Sequence, residues 1–192
     1  MSKSEPLKDC RDIKKIKEYF LNNNDLRDYV LFTIGINTAL RIGDLLRLTW
    51  RDVYDFQTNQ FLTHLIIQEQ KTKKLNTILL NGNVQDALNC LKEDIKPIEP
   101  HIYLFQSRKK RGIPINRSRA YTIIKKAAAA NNIKGNICCH SMRKTFGYHA
   151  WKKGVPPALI MEIYNHSSID VTKRYRSIDQ DDKDIVFGEM LL

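Results

Sequence analysis

The chain has 192 residues, 42% of them hydrophobic, and carries 32 lysines and arginines against 21 acids. That is enough apolar material for one packed core, which excludes a disordered polyelectrolyte, and no run approaches the roughly 18 to 20 apolar residues of a membrane span. The formal net charge of +11 favours a polyanion, either nucleic acid or an anionic membrane surface, and no strongly amphipathic basic helix supports the membrane.

From about Asp9 to Leu21, Ile13, Ile16 and Phe20 recur at helical spacing. Asn22 to Asn24 break the pattern, and Asp25 suits the N-cap of a second helix carrying Leu26, Val30, Leu31 and Ile34. A short apolar helix is predicted around Gly43 to Leu48. The period then changes. Phe61, Leu62, Leu65, Ile66 and Ile67 form an apolar, β-branched run, Gln70 to Lys74 is polar, and Asn76 to Leu80 is again strand-like. This predicts an antiparallel hairpin with a lysine-rich turn. Val84 to Leu91 reads as helix and Ile102 to Phe105 as a short strand.

Arg108, Lys109, Lys110 and Arg111 follow in a basic loop, which is either a solvated surface or a contact to phosphates. The second half is predicted to be helical over about Arg117 to Asn131, Ser141 to Lys153, Pro157 to Tyr164 and Ile169 to Tyr175, with Gly154, Pro156 and Pro157 punctuating it. The expected class is therefore mainly α with a small antiparallel sheet, in one domain spanning 1–192. Cys10, Cys90, Cys138 and Cys139 show no zinc-ligand spacing and are expected to be small buried apolar residues. Met1–Cys10 lacks the apolar stretch of a secretory signal, so a cytoplasmic protein is expected.

His140 and Arg143 stand three positions apart, on one face of a predicted helix. A guanidinium can donate two parallel hydrogen bonds to phosphate oxygens, and an imidazole can move a proton near neutral pH. Alone, the pair equally describes a capping histidine and a surface arginine. Its setting is more telling. Upstream runs Thr38-Ala-Leu-Arg41-Ile-Gly-Asp44-Leu-Leu-Arg-Leu48-Thr-Trp50, followed by Lys71-Thr72 in the hairpin turn. Downstream runs Tyr164-Asn-His166-Ser-Ser-Ile-Asp-Val-Thr172-Lys-Arg-Tyr175, with His166 and Tyr175 nine positions apart.

In this order and spacing the chain resembles the catalytic domain of the tyrosine recombinase, or phage integrase, family. The resemblance runs from the first helix to beyond Tyr175. It departs at Ala39 and Asn165, where the family usually has glycine, and at Asp44, where glutamate is usual; asparagine tolerates the left-handed turn that Asn165 would need. The implied function is site-specific DNA recombination (integration, excision or inversion), by strand cleavage and rejoining through a 3′-phosphotyrosine on Tyr175. Arg41 and Arg143 would clamp the phosphate, His166 would donate to the same oxygens, His140 is the candidate base, and the resemblance gives the leaving-group acid to Lys71. Lys73 and Lys74 are its rivals, and with the basic loop they are candidate DNA contacts. No metal or cofactor is expected. The implied partner is double-stranded DNA, bound as a tetramer on paired sites, with a monomer when free. The family's N-terminal core-binding domain is expected to be absent, and the segment 179–192 is expected to dock in cis or in trans. A type IB topoisomerase and a non-catalytic DNA-binding regulator are the competing readings.

Overall fold

The computed structural model describes residues 4–110 and 112–165. Asp9 opens helix α1 (Cys10–Asn22), its carboxylate accepting the backbone N–H of Arg11, and the apolar stripe buries Ile16 and Phe20. Helix α2 (Leu26–Asn37) is apolar around most of its circumference, as a helix must be to cross the middle of a core. It packs against α1 and against two later helices, one over Gly82–Ile95 and one over Cys139–Lys152. Asp25 takes the predicted N-cap position, but its side chain makes no capping bond and holds Arg108 at 2.9 Å instead.

Helix α3 (Ile42–Leu45) is one turn long, and a 3₁₀ turn follows at Trp50–Asp52, closed by reciprocal Thr49 and Asp52 bonds. The apolar run from Phe61 divides between two sheets. Strand β1 (Tyr54–Asp55) pairs with β2 (Gln60–Phe61), and β3 (His64–Gln68) pairs antiparallel with β4 (Leu75–Leu79). Gln68 opposite Leu75 sets the lysine turn at the end of the longer hairpin. Helix α4 (Gly82–Ile95) is capped by Asn81, whose side chain accepts from Val84 N–H. The predicted strand at Ile102–Phe105 does not form. The neighbouring segment is the 3₁₀ turn, which leaves one isolated bridge, Thr49 to Tyr103, and too little extended backbone for a ladder.

Helices α5 (Arg117–Ala130), α6 (Cys139–Lys152) and α7 (Pro157–Ile163) complete the described chain. The main core gathers Phe20, Phe32, Trp50, Leu88, Phe105 and Ile124, each 0–1% exposed. Each such side chain contributes about 1.5–3 kcal/mol by leaving water. A smaller cluster of Ala39, Ile160 and Tyr164, with Phe146 packed on it, lies under the cleft described below. The N-terminal segment lies along α6: Leu7 N–H donates to Thr145 Oγ1 at 2.9 Å, and Leu7 O meets His149 Nε2 at 2.9 Å. The cysteine expectation needs correction. Cys139 is buried, Cys138 is half-buried, and Cys10 and Cys90 are exposed. Helix α1 and helix α4 turn those two positions outward while their larger apolar residues fill the core. No helix among the described residues is long and apolar enough to cross a membrane.

Candidate active site

Four separated segments converge on one open cleft of about 510 Å³, lined by Arg41, Lys71, His140 and Arg143 together with Gly43, Asp44, Gln70 and Arg117. Arg41 is the N-cap of α3, at the end of a loop whose turn is made by Ala39. Ala39 has φ +55°, a left-handed backbone that disfavours any residue with a Cβ by about 1–2 kcal/mol. The turn aims the Ala39 carbonyl at Arg143, whose Nη1 donates to it.

Arg143 is 2% exposed and is held from several sides. Its Nη2 donates to Tyr164 O at 2.8 Å, its guanidinium lies 4.3 Å from the centre of the Tyr164 ring, and Tyr164 Oη donates back to Arg143 O at 2.6 Å. Arg41 Nη2 reaches the same Tyr164 carbonyl at 3.5 Å. Both arginines are thus fastened to the last turn before Asn165. Asn165 itself has φ +50°, so the left-handed turn anticipated there is present.

His140 enters the cleft one turn before Arg143 on α6 and is exposed at its rim. Partial desolvation of its ring, then the positive charges of Lys144, Arg143 and Arg41, hold its pKa below the ordinary histidine value. The imidazole is therefore biased towards its neutral, proton-accepting form. Lys71 reaches the cleft from the hairpin turn. Lys73 is not among the residues lining it, and Lys74 lines a different hollow with Pro156, Leu159 and Asn165. The neighbouring acid Asp44 is buried, and its Oδ1 accepts the Gln70 N–H at 2.9 Å, tying the lysine turn to α3.

His166, Thr172, Tyr175, Arg111 and the segment 179–192 lie outside the described residues. Lys109 and Lys110 are exposed beside a second, basic hollow of about 670 Å³ that also takes Arg27, Arg108 and Arg119. Arg108 is already engaged with Asp25.

Two residues of this region were not anticipated. Glu69, fully buried, forms an ion pair with Arg41. Burial pushes its carboxyl up, but bonding from Thr72 and Asn165 and the Arg41 charge outweigh this and hold it below the usual glutamate value. The Asn165 Nδ2 amide faces the carboxylate from outside hydrogen-bonding geometry, so Thr72 and Arg41 are the firm partners. No spacing rule marks such a residue, because a strand-end glutamate normally points to solvent. Arg117 sits on the open side of the cleft, with Nη2 2.4 Å from where a Cβ on residue 43 would stand, so Gly43 makes room for it. Its signal was legible: Arg117 and Arg119 occupy the first turn of α5, where there is no acid, and a cation there opposes the helix dipole.

The profile of the phage integrase family matches residues 8–181. The probable integrase/recombinase YoeC of Bacillus subtilis (strain 168) is 41% identical over 177 residues, covering 92% of this chain and 91% of that protein. A tyrosine recombinase of Pseudothermotoga lettingae is 27% identical over 182 residues, covering 91% of this chain and 57% of that protein. The chain thus spans nearly all of the first and little more than half of the second. In structure it is similar to XerA recombinase (TM-score 0.75, 19% identity, covering 100% of this chain and 66% of that one). It is also similar to XerH site-specific recombinase in a post-cleavage complex with palindromic difH substrate (TM-score 0.76, 17% identity, covering 98% and 54%). At these identities the structural likeness establishes the fold, which is that of tyrosine recombinase catalytic domains.

Proposed function

This chain belongs to the phage integrase family, whose enzymes cleave and rejoin DNA strands, and we propose that it does so through Tyr175, in site-specific recombination between two double-stranded DNA sites. The observation that carries the reading is the convergence of Arg41, Lys71, His140 and Arg143 on one cleft from positions far apart in sequence.

The chemistry follows from the charges. A phosphodiester under attack passes through a five-coordinate state with extra negative charge on its non-bridging oxygens. Cations fixed in advance stabilise that state more than the ground state. Arg41 and Arg143 are fixed in this way, and loss of one such donor raises the barrier by about 3–4 kcal/mol. A phenol with its usual pKa of about 10 must lose a proton to attack. The Tyr175 oxygen forms the new bond to phosphorus as its proton passes to His140. The bond from phosphorus to the 5′ oxygen breaks, and that oxygen takes a proton from Lys71. His166 donates to the non-bridging oxygens. The products are a 3′-phosphotyrosine and a free 5′ hydroxyl, and attack by another 5′ hydroxyl reverses the sequence on a new strand. Because the phosphodiester energy is retained in the phosphotyrosine, rejoining needs no nucleotide.

Arg117, Lys109 and Lys110 extend the positive surface outwards from the cleft and would meet the flanking phosphates. Residues 1–192 are read as one catalytic domain working on DNA in the cytoplasm. Assembly as a tetramer on paired sites, from monomers when free, would use the apolar tail Ile185 to Leu192 as a docking segment. The deciding experiment is a nicked suicide DNA substrate carrying the recognition site. Wild type becomes covalently attached to the 3′ phosphate and Tyr175→Phe does not; attachment that survives Tyr175→Phe rejects the reading.

A further inference from the structure

The buried carboxylate Glu69 stands where the parts of the cleft meet. Its Oε2 is the ion-pair partner of Arg41 Nη1 and accepts Thr72 Oγ1 at 2.8 Å. Thr72 is the immediate neighbour of Lys71. The Glu69 backbone closes the same turn, with its N–H donating to Lys74 O at 3.0 Å and its carbonyl accepting Lys73 N–H at 2.9 Å. Its other oxygen lies 3.5 Å from Asn76 Nδ2. The amide of Asn165, the residue before His166, faces it as well. One side chain, 0% exposed, therefore touches Arg41 directly and fixes the turn that carries Lys71.

A carboxylate beside a phosphate-binding arginine is unfavourable unless it has a task, because it competes for the same cation. The geometry resolves the competition. Glu69 and the Tyr164 carbonyl take Nη1 and Nη2 once each, two of the five N–H donors of Arg41, and three remain for phosphate. A guanidinium braced at its rear is also preorganised, which raises its value in the transition state.

We propose that Glu69 is a positioning residue that locks the Arg41 clamp in register with the Lys71 turn, so that stabilisation of the phosphorane and protonation of the leaving oxygen are set by one buried carboxylate. The inference rests on the recombinase reading above. Its test uses three suicide substrates differing only at the scissile position. The first is the natural phosphodiester. The second is a methylphosphonate, which lacks the anionic oxygen that the arginine clamp serves. The third has a bridging 5′ sulfur, whose thiolate leaves without needing an acid.

Glu69→Gln keeps the shape and removes the charge. On the phosphodiester it is expected to slow covalent attachment about 100-fold, the scale of an ångström misplacement. DNA affinity in a gel shift should stay within about threefold, since binding is dominated by the many phosphate contacts. The defect should shrink at least about tenfold on each modified substrate, because each relieves one of the two functions that Glu69 aligns. Thr72→Val, which removes one contact and leaves the Arg41 pair, should show a smaller defect with the same pattern. It keeps the test open if Glu69→Gln does not fold. An equal loss on all three substrates is the mark of a merely structural role and overturns the proposal, as does no loss at all. Relief on only one modified substrate overturns the coupling. If wild type itself forms no adduct, the recombinase reading fails and this proposal falls with it, whereas loss confined to the variants bears on Glu69 alone.

Discussion

Gly147 lies in the interior of α6, where helix propensity alone says that alanine should stabilise the protein by about 1 kcal/mol. The tertiary structure reverses the sign. A Cβ on residue 147 would stand 2.3 Å from Tyr164 Oη, 3.1 Å from Cζ and 3.2 Å from Cε2. Tyr164 is fully buried, and its hydroxyl donates to the carbonyl of Arg143 at 2.6 Å, one helical turn before Gly147. Gly147→Ala must push the phenol away. Losing a buried hydroxyl's partner costs about 1–3 kcal/mol, and forcing a methyl into a packed site costs about 1–3 more. Set against the propensity gain, the net destabilisation is about 3 kcal/mol, or roughly 6–12 °C in Tm for a chain of this length. Thermal and urea unfolding measure it directly. Tyr164→Phe removes the closest atom, so in that background the same change should cost at least about 1 kcal/mol less, a coupling that a double-mutant cycle resolves. An unchanged or raised Tm in Gly147→Ala, or zero coupling to Tyr164→Phe, refutes the reasoning.

Other expectations concern titration and charge. As the proposed base, His140 would have to be neutral to accept the Tyr175 proton, and its pKa is held below the reference 6.5, so covalent attachment should stay level down to about that pH and fall below it; His140→Gln should lower the rate and remove this acid limb. The same depression makes the unfolded chain take up a proton before the folded one, so stability should fall as pH drops through 6.5 and flatten below the folded pKa, a trend absent from His140→Gln. Burial, with a smaller contribution from Cys138, pushes the Cys139 thiol up to about 12, so iodoacetamide at pH 8 should label the exposed Cys10 and Cys90 first, as read by peptide mass spectrometry; early labelling of Cys139 would contradict its placement. Replacing both Lys109 and Lys110 with alanine should reduce the salt slope of DNA binding by up to about 1.8, at about 0.9 per phosphate contact, and an unchanged slope would remove the loop from the interface.

Local physics made much of this molecule readable along the chain. The stripe of Ile16 and Phe20, the cap at Asp9, the proline-punctuated start of α7 and the lysine turn between β3 and β4 all depend on neighbours within a few residues. His140 and Arg143 share a face because α6 has a fixed period, and the order of the motifs alone points to the family. The split of the Phe61 run between two sheets, the lost strand at Ile102 and the outward cysteines were not readable, since each depends on what a distant segment offers as a partner. The same holds for the cleft. The motif order named Arg41 and Arg143, but only the fold shows that both are held by the carbonyl of Tyr164, and that Ala39, in a left-handed turn, gives Arg143 a second carbonyl. Glu69 is the clearest case. In sequence it is one polar residue just before a polar turn, and its burial against Arg41 exists only because the hairpin folds back over α3, where a charge removed from water must find its partner.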